Sequence, residues 1–247
     1  MAALQEVQRG LVRRIAKLYD KQGQPQRIAT IDQDATILES HQQAAYDHYE
    51  EGRGYQPMVA VWAEADLVVA DEFRDGNVPA KQDPLGCAKL AFAALPETVT
   101  QRYFRGDSAC HEHELLEWLK HPDREREPGG RIGFAVSARR SQPLAEALRK
   151  VAEAHWKTFG TEADGTLRQW AEVDFVPGDH YERKDSQPLR YVGLRWLKPQ
   201  GVLFGDGTDR HFHAVITHQP MAGGLLLDWH REKAGTVEHT HDEVKNE

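Results

Sequence analysis

Arg27-Ile-Ala-Thr-Ile-Asp-Gln-Asp-Ala-Thr-Ile-Leu38 is a short apolar run that carries two acids where a buried strand should not tolerate them. Read with a period of two, Ile28, Thr30, Asp32, Asp34 and Thr36 fall on one side and Ala29, Ile31, Gln33, Ala35 and Ile37 on the other. Both carboxylates therefore point the same way. An unpaired buried carboxylate is costly, so acids on a strand imply a metal ion, a cationic partner, or a strand end that reaches solvent. Taken alone, the stretch leaves these three open, and the plainer reading is a short strand followed by an acidic turn or cap.

The pattern on either side of this strand sets the fold class. Upstream, Leu4 to Tyr19 has helical periodicity, with Leu4, Val7, Leu11, Ile15 and Leu18 as the stripe expected to face the core. Gly23 and Pro25 end it. Downstream, Glu39 to Gly54 is polar and has no clear period. Pro57 to Glu64 and Leu67 to Arg74 read as strands joined by a turn at Ala65-Asp66. A helix over Pro84 to Leu95, a strand over Gln101 to Gly106, a helix over Glu112 to Leu119, a strand over Arg131 to Ser137 and a helix over Pro143 to Trp156 follow. After Lys157 the pattern turns to strands at Leu167 to Val176, Leu189 to Leu197, Gly201 to Phe204 and His211 to Thr217. A helical pattern returns from Leu225 to Glu247, with Gly235 a place where its start could be delayed to Thr236. This order predicts an α/β, ribonuclease H-like mixed sheet flanked by helices, with a β-rich insertion before the last helix. The expected parts are a helical lead-in over 1–26, the first part of the core over 27–156, the insertion over 157–220, and a final helical segment of the core over 221–247.

Composition bounds the function classes. The chain has 247 residues, 40% hydrophobic and 28% charged, as in a globular protein. No apolar run approaches the ~20 residues of a membrane helix, and the first ten residues lack the apolar segment of a secretion signal. An intracellular protein with no membrane partner is expected. Cys87 and Cys110 have no flanking pattern of a metal knuckle or redox pair and read as reduced, structural thiols. A net charge of -8 speaks against a surface given over to phosphate contacts. The first 27 residues nevertheless carry Arg9, Arg13, Arg14, Lys17, Lys21 and Arg27 against Glu6 and Asp20, a locally basic stretch.

Three acids stand where the elements could bring them together: Asp34 on the first strand, Asp107 after the Gln101–Gly106 strand, and Glu238 on the last helical segment. Carboxylates so grouped can hold the paired divalent ions of phosphodiester chemistry, roughly 3.5 to 4 Å apart. Hard oxygen ligands suit Mg²⁺ or Mn²⁺. Gly106, beside Asp107, would leave room for a phosphate. Each acid also has a plainer reading: Asp107 as a helix N-cap, Glu238 and Lys245 as a solvated helix face. The pairs His111/His113, His211/His213 and His239/His241 have zinc-ligand character but no evident third ligand. Trp62, Trp156, Trp170, Trp196 and Trp229 read as core.

Five pieces are informative together: Thr30-Ile-Asp-Gln-Asp-Ala-Thr36, Gly52-Arg-Gly-Tyr-Gln-Pro57, Phe73-Arg-Asp-Gly-Asn77, Arg105-Gly-Asp-Ser108 and Trp229-His-Arg-Glu-Lys-Ala-Gly-Thr-Val-Glu238. They resemble the DDE transposases of bacterial insertion sequences. The closer similarity is to the group with an Asp-x-Asp-x-Thr first motif, an Arg-x-Asp-Ser second motif and a β-strand insertion before the final Glu (the group 1 DDE domain), from about residue 27 onward. The family's catalytic, metal-binding acids fall on Asp34, Asp107 and Glu238, with Asp32 the alternative to Asp34. Its signature of a Tyr, an Arg and a Lys around the Glu is kept at Lys245. The Tyr position is Arg231 and the Arg position Ala234, with His230 and Lys233 fitting after a slip of one residue.

The resemblance implies Mg²⁺- or Mn²⁺-dependent nicking of DNA at transposon ends, then attack of the freed 3'-hydroxyl on another phosphodiester. It implies phosphate contacts by Lys245, Arg231 and Lys233, terminal inverted repeats and target DNA as partners, and a homodimer when synapsed. A bacterial cytoplasmic, nucleoid-associated location follows. The start close before the first catalytic strand, and an end in mid-helix, lead us to expect a truncated chain that folds its core but has little activity alone. Two alternatives are an inactive transposase remnant that keeps DNA binding or nothing, and a zinc-dependent metallohydrolase built on the His-x-His pairs.

Overall fold

The protein is described by a computed structural model covering residues 2–48, 52–123, 130–178 and 188–246, with the side chains of 2–4 and 237–246 outside the description. The chain forms two compact units, residues 1–134 with 232–247 and residues 135–231. The divisions fall inside a strand and inside the last helix. Residues 135–156 thus group with the inserted strands.

In the first unit, α1 (Ala2–Lys21) leads into β1 (Ile28–Ala35). A small separate sheet follows, formed by β2 (Leu38–Glu39), β3 (Tyr46–His48) and β4 (Gly52–Tyr55) in the order β2-β4-β3. The polar stretch after the first strand thus contributes, among its described residues, short β strands. It joins two of the motif pieces: Gln56 N donates to Arg74 O at 2.9 Å, Gly76 N to Gly54 O at 3.1 Å, and the Tyr55 and Phe73 rings lie 4.7 Å apart. A Cβ on Gly76 would stand 2.6 Å from Gly54 O, so only glycine permits this crossing.

The main sheet continues with β5 (Met58–Trp62) and β6 (Leu67–Glu72), joined by a 3-10 turn over Ala63–Ala65 that ends at Asp66 in the left-handed region, φ 49°. Then come α2 (Pro84–Ala94), β7 (Gln101–Gly106), α3 (His113–Lys120) and β8 (Ile132–Ser137). Asp83 and Glu112 cap the two helices through their carboxylates, accepting from Gly86 N, and from Glu114 N and Leu115 N. The strand order is β6-β5-β1-β7-β8. β1 is antiparallel to β5 and parallel to β7, which makes the sheet mixed. Ile31, Met58, Trp62 and Phe104 fill its core with no exposed surface. Helices cover both faces: Gln33 reaches Pro84 O of α2 at 2.9 Å, while Asp34, on the opposite side of β1, meets the last helix. This is the α/β, ribonuclease H-like arrangement that the order of elements predicts.

α1 differs from its expected orientation. Val12 and Ala16 are buried at 2% and 3% exposure, while Val7, Leu11 and Leu18 lie 70%, 56% and 56% exposed. The two small residues let the helix approach β6 and α2 closely, and Gln8 Nε2 bonds Val68 O at 3.3 Å on the same side. Val7, Leu11 and Leu18 of the expected stripe are left outward.

The second unit holds the end of β8, α4 (Gln142–Lys150), β9 (Lys157–Thr161), β10 (Leu167–Val173), β11 (Arg190–Leu197), β12 (Arg210–Thr217) and the start of α5 (Gly223–Asn246). Its strands run antiparallel in the order β8-β12-β11-β10-β9. Ala135, Val192, Val215, Leu226 and Leu227 form its core. Three expectations are corrected here. Gly201–Phe204 is a turn and not a strand, closed by Val202 N to Pro199 O at 3.0 Å, with Val202 and Leu203 46% and 58% exposed. The helix expected to reach Trp156 stops at Lys150, because the chain turns extended at Val151. α5 runs unbroken through Gly235, where a Cβ would meet nothing within 4 Å. β9 is an edge strand that the residue pattern did not announce.

Candidate active site

β1 and β7 are parallel, so their carboxyl ends emerge on the same edge of the sheet. The last matched pair is Gln33 with Gly106, and the next residues are Asp34 and Asp107. Asp34 is half-buried: Oδ1 accepts from Ala35 N at 2.9 Å and Oδ2 from Lys233 Nζ of α5 at 2.6 Å. Asp107 turns the chain into a short 3-10 segment, with Oδ1 accepting from Ala109 N at 2.9 Å. The plain N-cap role and a place beside Asp34 are thus both realised. Burial, and then repulsion from Asp34, push the Asp107 carboxyl above its ordinary 3.8, with Lys233 opposing. Lys233 itself is 8% exposed. Burial would lower its pKa, but Asp34 and then Asp107 outweigh this and hold the ammonium above its ordinary 10.5.

Asp32 has a different neighbour. It is fully buried, and Arg105, opposite it on β7, clasps both oxygens: Nε to Oδ1 at 2.6 Å and Nη2 to Oδ2 at 2.8 Å. Burial pushes Asp32 up and the guanidinium pulls it back; the two-pronged contact needs the carboxylate form. Arg105 Nη1 also donates to Glu232 of α5 at 3.0 Å. The first acid face of β1 is completed by Thr30, whose Oγ1 donates to Glu64 at 2.6 Å. The whole cluster belongs to the first unit.

The predicted residues therefore separate. Asp34 and Asp107 stand at adjacent strand ends, and Lys233 contacts Asp34 and acts on both as counter-charge. Asp32 is engaged by Arg105. Arg231 is 62% exposed on its side chain and pairs with Glu162 at 3.6 Å in the second unit. Glu238 and Lys245 lie on α5, but their side chains fall outside the described residues. Arg105 and Glu232 were missed as partners, although Arg105 shares a strand face with Asp107 by alternation. Gly106 does not leave space for a phosphate: a Cβ there would stand 2.6 Å from Cys110 Cβ, so the room is taken.

The histidine pairs find other company. His211 bonds Asp206 at 2.9 Å and stacks on Phe204, and His213 bonds Ser137 at 3.1 Å. The side chains of His239 and His241 lie outside the described residues. Among the described residues, no three His, Cys, Asp or Glu side chains form a group able to hold a metal ion. Trp62 and Trp156 are buried as expected for core, at 0% and 7% exposure. No described helix is long and apolar enough to cross a membrane.

Neither protein-family models nor curated protein sequences contain a match to this chain. Among solved structures, the cryo-EM structure of a piggyBac transposase synaptic complex with hairpin DNA is similar over 92% of this chain and 43% of that one, at 12% identity and a TM-score of 0.47. The chain thus spans less than half the length of that transposase, and so distant a similarity bears on neither the site nor the substrate.

Proposed function

We propose that this chain is the catalytic region of a DDE-type transposase, which cuts DNA at transposon ends and joins the freed 3'-hydroxyl to target DNA as a synapsed homodimer. The observation that carries the reading is the meeting of Asp34 and Asp107 at neighbouring parallel strand ends, where the charge of Asp34 helps to raise the Asp107 carboxyl. These are the two positions that the motif resemblance marks independently. The helix bearing Glu238 packs on the same face through Lys233 and Glu232. Two carboxylates at adjacent strand ends have the donor chemistry for a divalent cation, and Glu238 is the proposed third ligand.

Such a cation, when bound, activates the attacking oxygen and steadies the leaving one. The chain's own residues do the rest. The ladder between β1 and β7 holds the two aspartates in register. Asp32 and Arg105 brace that ladder from within, and Arg105 reaches Glu232 to seat α5. Ala35 N and Ala109 N each fix one carboxylate oxygen, which limits how the acids can turn. Lys245 and Arg231 are the proposed phosphate contacts.

The test is Mn²⁺-dependent nicking of DNA bearing the element's terminal repeats. Asp34→Asn, Asp107→Asn and Glu238→Gln should each lower the rate by about a hundredfold or more, since each removes a ligand to the charge that stabilises the transition state. Unchanged nicking in all three variants would remove the assignment.

A further inference from the structure

Lys233 is unusual on two counts. It is a lysine with 8% exposure, and its ammonium contacts a carboxylate that the motif marks as a metal ligand. Both oxygens of Asp34 are already occupied, Oδ1 by Ala35 N and Oδ2 by Lys233 Nζ at 2.6 Å. Each oxygen keeps a further lone pair, but a divalent cation bound at Oδ2 would stand within contact distance of the ammonium already there. The backbone N–H is fixed in the strand, whereas the lysine ammonium sits on a four-carbon stem. The helix need not move for it to leave, because Arg105 holds the preceding residue, Glu232, at 3.0 Å. A divalent ion and an ammonium sharing one carboxylate would also repel each other at contact distance.

We propose that Lys233 is a tethered counter-cation of the carboxylate site, and that divalent metal binds by displacing its ammonium from Asp34. This rests on the reading of Asp34 and Asp107 as metal ligands. It assigns to Lys233 a role distinct from a standing phosphate contact: the side chain neutralises the aspartates while they hold no metal, and is released toward the substrate side only when metal arrives. A site of this kind keeps its two acids from repelling each other without requiring metal for folding, and it weakens metal affinity in return.

Mn²⁺ binding by the full chain without DNA, followed by electron paramagnetic resonance of the free ion, tests it. Lys233→Met and Lys233→Gln should bind Mn²⁺ about tenfold tighter or more than the parent, since one competing unit charge at contact distance is worth at least that factor. Their metal-free melting temperatures should fall, and saturating Mn²⁺ should raise them by more than it raises the parent's. Tighter binding in whichever of the two folds supports the proposal. Equal or weaker binding in both, with Asp34→Asn still abolishing Mn²⁺ binding, overturns the displacement role and leaves the ligand reading standing. If Asp34→Asn and Asp107→Asn bind Mn²⁺ as the parent does, the ligand reading fails and this inference fails with it.

Discussion

Asp32 and Asp34 sit two residues apart on one strand face and have opposite situations. Asp32 is sealed, with a guanidinium on both oxygens; Asp34 lies at the strand end, half-buried, on a lysine ammonium. Breaking a buried pair from one side strands the other charge. Arg105→Leu should therefore cost about 3–5 kcal/mol in urea unfolding, and adding Asp32→Leu should recover part of that loss. A double variant no more stable than the single one would mean that Asp32 is stabilised by something other than Arg105. His213 offers a pH test away from the site. Burial, and then Arg140, hold its pKa below the ordinary 6.5. The unfolded chain thus takes up the proton first as pH falls, so native stability should drop below about pH 6.5 until the lowered native pKa is passed. His213→Gln should flatten that part of the stability profile, measured by urea midpoints between pH 5 and 8. An unchanged slope would place the titrating group elsewhere.

Helices in this protein are positioned more by what they must pass than by their own amphipathicity. α1 buries Val12 and Ala16 against the sheet and leaves Val7, Leu11 and Leu18 outside. α5 shows the same principle at its first turn. A Cβ on Gly223 would lie 2.2 Å from Trp170 Cε3, whereas one on Gly235 would meet nothing within 4 Å. Gly223→Ala should destabilise by about 1–3 kcal/mol through overpacking, despite alanine's better helix propensity. Gly235→Ala should instead stabilise by roughly 0.5–1 kcal/mol. Thermal unfolding of the two variants checks the contrast, and the same sign for both would refute it.

Across the whole chain, the strands were legible where alternation and turn residues coincide. Gln101–Gly106 and Arg131–Ser137 were readable to within one residue, as was the turn at Asp66. The edge strand at Lys157–Thr161 was not, since an edge needs only one partner and its residues, three of the five exposed, carry no apolar period. Nor was the grouping of residues 135–156 with the inserted strands, which depends on nonlocal contacts. In the site, the same-face placement of Asp32 and Asp34 was determined by the sequence by itself, because backbone sterics alone set the period of two. Which cation each acid meets was decided only by tertiary structure. Arg105 reaches Asp32 through the parallel pairing of β1 with β7, and Lys233 reaches Asp34 when α5 returns from 199 residues away. Burial of whole elements against one another drives both events, and no local run of residues encodes it.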